Sequence, residues 1–279
     1  MKYACFIVTY KRPDTVTPKM LREHGYSGEY FLVVSDNDPC IEEYKARYGD
    51  SVLVFHKPDY AWIDTCDLDP SLDFANIARY AAHDFARELK YDAWCMLDDD
   101  LSDIKYRAYD ENHSLKTYEV IKLDALMEAC FESVMKFPPG TIFGFLSACL
   151  MFPGRIDKFE RFWSQISFRR TSDPYLVKGR FYDDFTEVLD KNNTGEIAFV
   201  LHEITYKGDA YDASKVENDV SGGMLQAYEK YSRYARRFMS LMIHPCGGMG
   251  CQINKAGCLV FPKGMSSSVQ ILPERFKKQ

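Results

Sequence analysis

Three consecutive aspartates, Asp98, Asp99 and Asp100, end a short apolar stretch and concentrate negative charge at one point of the chain. Two carboxylates one residue apart, fixed at the end of a buried strand, can present oxygen atoms to a hard cation. Magnesium and manganese are commonly held by one or two carboxylates together with substrate phosphates. We therefore predict that Asp98 and Asp100 bind a divalent metal that carries a diphosphate, with Asp99 directed elsewhere. The alternative is a solvated turn, since Asp is common where a strand ends.

The elements that must position these aspartates follow from the apolar pattern of the N-terminal part of the chain. The predicted strands are residues 3–10, 30–38, 51–57 and 93–97. The predicted helices between them are residues 13–26, 41–49 and 74–91. This alternation is typical of an α/β fold with a doubly wound, mostly parallel sheet, whose ligands bind beyond the carboxyl ends of the strands. Polar residues at three such ends are expected to line one crevice, namely residues 9–12, 35–38 and 98–100.

The C-terminal part of the chain is less regular. The predicted helices there are residues 123–137 and 225–242, and the predicted strands are residues 141–152, 196–208 and 239–244. No linker rich in Gly, Ser or Pro and no repeat interrupts the sequence. We predict one domain over residues 1–279, with a nucleotide-binding half at 1–105 and an elaborated acceptor-binding half at 106–279.

The composition excludes several classes of protein. The net charge of −6 argues against indiscriminate nucleic-acid binding, and no apolar run approaches the ~20 residues that span a membrane. Nine cysteines without a C-x-x-C pair, and no signal-peptide pattern, indicate reduced thiols and a cytoplasmic protein. Neither the glycine-rich dinucleotide motif nor the P-loop motif occurs, which leaves the acidic strand ends as the main candidate for chemistry.

Several segments follow one another in an order that resembles a known family. They are YKRPDT, EEYKARYG…VLVFHK, ANIARYAAHDFARELKYDAWCMLDDD, KGRFYDDFTEVL and GGMLQAYEKYSRYARRFMSLMIHP. Together they resemble the phage glycosyltransferases associated with TET/JBP dioxygenases, which have a GT-A fold, over most of the chain up to Pro245. The resemblance implies transfer of a sugar from a nucleotide sugar, expected to be UDP-linked, to 5-hydroxymethylcytosine in phage DNA, in the host cytoplasm. The chain departs from the family pattern at Arg79–Tyr80, often Arg-Asn, and at residues 182–184, often Asn-Glu-Asp.

The same resemblance implies roles for individual residues. Those expected to bind the nucleotide sugar are Thr9, Tyr10, Arg12, Asp36, Asp38, Arg79, Asp98 and Asp99. Of these, Arg79 would meet the diphosphate, because a guanidinium matches phosphate oxygens; its alternative is an ordinary surface arginine. His244 would join Asp98 and Asp100 around Mn²⁺ or Mg²⁺, or else be a packed or capping residue.

An acid pair in the segment RFYDDF supplies the remaining chemistry. If configuration inverts, a carboxylate must take the proton from the acceptor hydroxyl, and Asp184 matches the last acid of the family motif. Our hypothesis is that Asp184 is the general base and that Asp183 helps to place the acceptor. The competing interpretation is an acid pair favoured by the dipole at the start of a helix.

Basic segments at residues 155–180 and 230–237 are candidates for DNA contacts through phosphates. Within the first, Phe162, Trp163 or Phe168 could hold or replace an extruded base. The alternative is that these aromatics belong to the core and the charges to a solvated face. Three other functions stay open from the residues alone: a transferase for a glycan, lipid or protein hydroxyl, a nucleotidyltransferase, and a non-catalytic nucleotide- or DNA-binding relative.

Overall fold

A computed structural model of the chain describes residues 1–65, 71–72, 74–148, 165–179, 187, 191, 194–208, 252–253 and 259–260. The four predicted N-terminal strands are present as β1 (Tyr3–Val8), β2 (Tyr30–Ser35), β3 (Val52–Phe55) and β4 (Ala93–Asp98). The helices are α1 (Thr17–Glu23), α2 (Ile41–Tyr48), α3 (Asn76–Glu88) and α4 (Leu123–Lys136). None of the helices in these described ranges has the length and apolar character needed to cross a membrane.

The first four strands are all parallel, in the spatial order β3-β2-β1-β4. Val8 of β1 lies in register with Val33 of β2 on one side and with Asp98 of β4 on the other. Because the strands run in the same direction, their carboxyl ends lie at one edge of the sheet. The α/β fold class predicted from the sequence is confirmed, and residues 9, 36 and 98 lie along this edge.

Five further strands extend the sheet beyond β4 in the order β8-β7-β9-β5-β6. They are β5 (Leu101–Tyr109), β6 (Leu115–Glu119), β7 (Ile142–Ser147), β8 (Ile166–Arg170) and β9 (Ala198–Gly208). Here the pairing is mixed: β8 runs antiparallel to β4 and β7, whereas β7 and β9 are parallel. A separate pair of short strands, β10 (Gln252–Ile253) and β11 (Leu259–Val260), is antiparallel.

The sequence did not predict strands β5, β6 and β8, and in each case there is a physical reason why the strand was missed. Every residue of β6 is exposed or half-buried, so this edge strand carries polar side chains and gives no apolar alternation. In β5 the side chains of the buried and partly buried positions include charged ones, such as Arg107. Strand β8 ends in two arginines, which in a sequence look like part of a surface.

The core lies on both faces of the sheet because side chains alternate along each strand. In β4, Cys95 and Leu97 join the cluster that α1 and α4 cover, whereas Trp94 and Met96 join the cluster beneath α3. The end of β4 is therefore held between two packed layers. This double packing fixes the place at which Asp98 leaves the sheet.

The structure corrects part of the predicted DNA-binding segment. Phe168 is fully buried and stacks on Phe143, with ring centroids 5.0 Å apart, so the prediction that Phe168 meets an extruded base is wrong. Arg170 does not face DNA either, since its guanidinium donates to the carbonyls of Val134 and Met135 at the end of α4. Phe162 and Trp163, residues 225–244 and the basic segment 230–237 lie outside the described residues.

Candidate active site

Asp99 is the buried centre of the site and fixes the loop that follows β1. Thr9 Oγ1 donates to Asp99 Oδ2 at 2.7 Å, and Arg12 Nη1 donates to Asp99 Oδ1 at 3.0 Å. Burial raises the pKa of Asp99, although the Arg12 guanidinium and the Thr9 hydroxyl oppose this shift. The carboxylate of Asp99 therefore serves the protein's own loop, and Arg12 is brought to the edge of the crevice.

The backbone of the aspartate turn is anchored by the start of α1. Thr17 Oγ1 donates to the Asp98 carbonyl at 2.7 Å and accepts from the Leu101 N–H at 3.0 Å. The Asp99 carbonyl accepts from the Val16 N–H at 3.2 Å. Helix α1 begins at Thr17, four residues later than predicted, since residues 13–16 first form this connection to the turn. Hydrogen bonds from the start of α1 therefore fix the backbone of the aspartate turn.

The other two carboxylates of the turn are directed to different partners. Arg79 of α3 contacts Asp98, with 3.4 Å between Nη2 and Oδ1. Gln165 Nε2 donates to Asp100 Oδ1 at 3.2 Å. Burial, together with the negative charges of Asp98 and Asp99, raises the pKa of Asp100 to about 7.

These donors fit a hard divalent cation. Asp98 and Asp100 offer carboxylate oxygens, the ligand type that Mg²⁺ and Mn²⁺ prefer, and a cation would offset the burial and the neighbouring negative charges that raise the pKa of Asp100. Both oxygens of Asp99 accept hydrogen bonds from Thr9 and Arg12, so its carboxylate is directed toward the loop after β1.

Asp36 and Asp38 follow β2 and build the adjacent part of the crevice. Asp38 is buried and accepts from the backbone N–H groups of Lys11, at 2.6 Å, and Cys40, at 2.8 Å. Asp36 accepts from the Lys57 N–H at 3.1 Å and contacts the His56 ring. Burial alone would raise the pKa of Asp36, but these two hydrogen bonds outweigh it and lower the pKa.

Three residues of this crevice were missed by sequence reasoning: Tyr44, His56 and Lys57. Tyr44 OH accepts from the Arg12 N–H at 2.7 Å and lies 3.0 Å from Thr9 Oγ1, so it supports the loop after β1. The ammonium groups of Lys11 and Lys57 lie 5.2 Å and 5.3 Å from the centre of the Tyr10 ring. His56 and Lys57 follow the end of β3, and this position at a strand end could have identified them as crevice residues. Tyr44 lies within α2, and nothing in the local sequence marks it as part of the crevice.

A buried ion pair lies beside β4. Arg169 of β8 donates from Nη2 to Glu187 Oε2 at 2.7 Å, and its Nη1 contacts the other oxygen. Both side chains are more than nine-tenths buried, at 7% and 8% exposure. The guanidinium also lies 4.8 Å from the centre of the Tyr175 ring. Arg169 was predicted to contact DNA phosphates, and this inward pairing shows that the prediction is wrong.

Another set of metal-ligand types lies away from the aspartate turn. Among the described residues, His24, Asp103 and Glu119 are the one group of three or more whose ligand atoms all lie within 4.8 Å of one another. The ammonium of Lys105 lies 3.1 Å from Asp103 and 2.8 Å from Glu119. Because this cation already balances the two carboxylates, the group is best described as a surface ion network.

The structure thus brings together most of the predicted site residues. Those along the carboxyl edge of the sheet are Thr9, Tyr10, Arg12, Asp36, Asp38, Arg79, Asp98, Asp99 and Asp100. Asp183, Asp184 and His244 lie outside the described residues. The roles of all these residues remain predictions.

Parallel strands with clustered carboxylates and two arginines at their carboxyl edge define an α/β protein whose crevice contains the residue types that bind metals and phosphates. Residues 3–215 match the family described as TET-Associated Glycosyltransferase. The chain belongs to this family, and it is a glycosyltransferase. The family resemblance seen in the sequence is confirmed.

Solved structures similar to this chain are distant in sequence. A crystal structure of a mycobacterial protein has a TM-score of 0.43 and 10% identity, covering 84% of this chain and 75% of that one. Glucosyl-3-phosphoglycerate synthase from Mycobacterium tuberculosis, in complex with Mn²⁺, uridine diphosphate and glucosyl-3-phosphoglycerate, has a TM-score of 0.42 and 10% identity, covering 84% and 80%. Mannose-1-phosphate geranyltransferase from Thermus thermophilus has a TM-score of 0.33 and 10% identity, covering 70% and 62%. No curated protein matches the chain.

Proposed function

We propose that the chain transfers a sugar from a UDP-linked nucleotide sugar to the hydroxymethyl group of 5-hydroxymethylcytosine in phage DNA, with the help of Mn²⁺ or Mg²⁺. The observation that carries this proposal is the aspartate turn at the carboxyl edge of the sheet, in a chain of the TET-associated glycosyltransferase family. Residues 1–105 would bind the nucleotide sugar and residues 106–279 the acceptor.

Donor binding follows from the charges along the crevice. Asp98 and Asp100 would hold the metal, which acts as a Lewis acid toward the diphosphate oxygens when bound. Arg12 and Arg79 flank the turn, and a guanidinium can donate in parallel to two phosphate oxygens. Asp36, which accepts from the Lys57 N–H, or Asp38 would accept from a hydroxyl of the ribose or from the base.

Acceptor activation is assigned to the acid pair of the RFYDDF segment. Asp184 would take the proton from the acceptor hydroxyl as the sugar is transferred, and Asp183 would help to orient that hydroxyl. His244 would complete the metal shell. These three roles rest on the family motif and on the chemistry of the side chains. Transfer by the Asp184→Asn variant at a rate near wild type, in a folded protein, would remove Asp184 from the mechanism.

The DNA acceptor is supported by the association of the family with TET enzymes. An enzyme that modifies a base in a duplex must bring that base out of the stack. Within the predicted basic segments 155–180 and 230–237, Phe168, Arg169 and Arg170 are structural, and the other basic side chains would contact the DNA phosphates. Electrostatic contacts with phosphates predict that DNA binding weakens steeply as salt concentration rises.

The test of the proposal is transfer to DNA. The protein is incubated with Mn²⁺, a panel of nucleotide sugars, and duplexes that contain cytosine or 5-hydroxymethylcytosine, and the nucleosides are analysed by mass spectrometry. We expect a mass gain of one sugar on the hydroxymethylated nucleoside only. Transfer to a glycan or protein alone, with every DNA unchanged, would refute the proposal.

A matched pair of variants ties the activity to the turn. Asp98→Asn keeps the shape of the side chain but removes the charge, so we expect loss of metal-stimulated hydrolysis of the nucleotide sugar. Asp50→Asn is the control, because Asp50 is exposed at the opposite end of the strands, just before β3. Equal activity of both variants would show that Asp98 does not take part.

A further inference from the structure

Trp62 is the most exposed aromatic side chain among the described residues, at 63% exposure. Its neighbour Ile63 is buried, at 5%, and the Ile63 N–H donates to the Tyr60 carbonyl at 3.1 Å, so the backbone around Trp62 is fixed. The indole meets the Tyr80 ring edge to face, with centroids 5.1 Å apart and an interplanar angle of 80°. A large flat ring is therefore held against Tyr80 while most of it faces solvent, so the ring can also contact a ligand.

Tyr80, which supports the Trp62 ring, lies next to a residue of the candidate active site. Tyr80 is the residue after Arg79 on α3, and Arg79 contacts Asp98 at the carboxyl edge of the sheet. Adjacent helical residues point in directions about 100° apart, so Arg79 can reach the aspartate turn while Tyr80 supports Trp62. Trp62 thus belongs to the same end of α3 as the residue that contacts Asp98.

The loop of Trp62 is also tied to the segment that runs toward the predicted general base. The Gly179 N–H donates to the Asp64 carbonyl at 2.9 Å, and Tyr80 OH donates to the Val177 carbonyl at 3.0 Å. Gly179 precedes Asp183 by four positions in the sequence. Trp62 is therefore linked through Tyr80 to the metal side of the site and through Asp64 to the segment predicted to serve the acceptor.

The outward face of the segment around Val177 has the character of a nucleic-acid surface. Tyr175 and Val177 are buried, whereas Leu176 and Lys178 are exposed, as expected for an extended segment with one face inward. An apolar and a basic side chain thus lie on the exposed face of the segment to which the Trp62 loop is bonded. The basic side chain can contact a phosphate, and the aromatic ring on which a base could stack is that of Trp62.

We propose that Trp62 is the stacking surface for the pyrimidine ring of the acceptor, after that base has left the DNA duplex. An extruded base loses its stacking neighbours, and an aromatic ring that is already fixed in position can replace one of them. The donor side of the crevice is attributed to Thr9, Arg12 and Asp36, to which the loop after β3 contributes the Lys57 N–H, whereas Trp62 lies further along that loop against Tyr80 of α3. This inference rests on the proposed function, since it names the contact that holds the acceptor.

A thermodynamic cycle on binding tests the proposal. Wild type and Trp62→Ala are titrated, with UDP and Mn²⁺ present, against fluorescent duplexes that carry either 5-hydroxymethylcytosine or an abasic site at one position. Loss of one stacked base weakens binding by about 5- to 150-fold, from about 1–3 kcal/mol per base. We expect this loss for Trp62→Ala with the modified base, and little loss with the abasic site, because the partner of the indole is then missing.

Matched variants separate stacking from packing. Trp62→Leu keeps an apolar contact with Tyr80 but has no flat ring, so it should bind as weakly as Trp62→Ala, whereas Trp62→Phe should recover part of the affinity. Tyr109→Ala is the control, because Tyr109 is also exposed, at 48%, but ends β5 near the far edge of the sheet. Loss of nucleotide-sugar hydrolysis without DNA in Trp62→Leu would place the indole on the donor side and overturn the proposal.

The outcomes distinguish this inference from the proposed function. If wild type transfers no sugar to hydroxymethylated DNA, the proposed function fails, and the acceptor named for Trp62 fails with it. If wild type does transfer, but Trp62→Leu binds DNA as tightly as wild type, the stacking role is overturned while the function stands. A penalty that is equal on modified and abasic DNA also overturns it, since the indole then does not contact the target base.

Discussion

Breaking the buried ion pair between Arg169 and Glu187 should destabilise the whole fold. Arg169 lies on β8, directly beside β4, and both of its terminal nitrogens contact Glu187. Side-chain exposures of 7% and 8% leave little solvent to screen either charge. Removing one partner of a buried pair costs about 3–5 kcal/mol, because the other charge is left without compensation. We expect this loss for Glu187→Ala.

The assay is equilibrium unfolding in urea, followed by circular dichroism. A loss of about 3–5 kcal/mol in a chain of this size corresponds to a fall of about 6–20 °C in Tm. The double variant Arg169→Met with Glu187→Leu should recover most of the stability, since an apolar replacement of a buried pair is often neutral or stabilising. The exposed pair of Arg47 and Asp14 is the control, and Arg47→Met should leave the unfolding midpoint unchanged.

The pair also predicts how stability depends on pH. Burial alone would raise the pKa of Glu187, but the Arg169 guanidinium outweighs it and holds the pKa below its ordinary value of 4.5. The stabilisation is therefore complete above pH 4.5 and is lost as the pH falls below that value toward the pKa in the folded protein. A Glu187→Ala variant as stable as wild type at pH 7 would refute the burial and pairing on which this reasoning depends.

Two further predictions concern the turn and the core. Asp99→Asn should lower kcat/KM for hydrolysis of the nucleotide sugar by roughly 10- to 150-fold, because a hydrogen bond to a charged group such as that from Arg12 is worth about 1.5–3 kcal/mol; unchanged kinetics would contradict its anchoring role. Burial and a neighbouring guanidinium lower the pKa of His83 from 6.5 to about 4. The unfolded chain then binds a proton that the folded protein does not, so stability should fall between pH 6.5 and about 4, by about 3 kcal/mol in total. His83→Leu should flatten that part of the stability curve measured by urea unfolding, and an unchanged slope would show that His83 is not the group responsible.

The N-terminal half of the fold could be predicted from the sequence because its strands and helices are local patterns. Strands β1, β2 and β4 are buried on both faces, and such strands appear as continuous apolar runs. The ends of such strands can be read from the sequence, and the carboxyl ends of parallel strands lie at one edge of the sheet. The sequence therefore predicted that residues 9, 36 and 98 lie close together.

The strands of the second half were harder to predict because their charged side chains are buried against partners that are distant in the sequence. In strand β8, the charge of Arg169 is paired with Glu187, and the guanidinium of Arg170 donates to carbonyls at the end of α4. Nothing in the local sequence shows that these partners exist, since Glu187 is 18 positions from Arg169. The same segment was interpreted as a DNA-binding surface because the default environment of arginine is solvent.

The aspartate turn shows the same division at the scale of single residues. The clustered charge and its place after β4 could be deduced from the sequence, but the separate tasks of the three carboxylates required the structure. Asp99 accepts from Thr9 and Arg12, so its carboxylate holds the loop after β1. Burial, followed by the negative charges of Asp98 and Asp99, raises the pKa of Asp100 to about 7, so the turn carries an excess of negative charge when all three carboxylates are ionised. A group that brings positive charge to Asp98 and Asp100 would relieve this excess, and the same group would attract a diphosphate. The repulsion built into the turn is therefore an argument for cation binding that does not depend on the family of the chain.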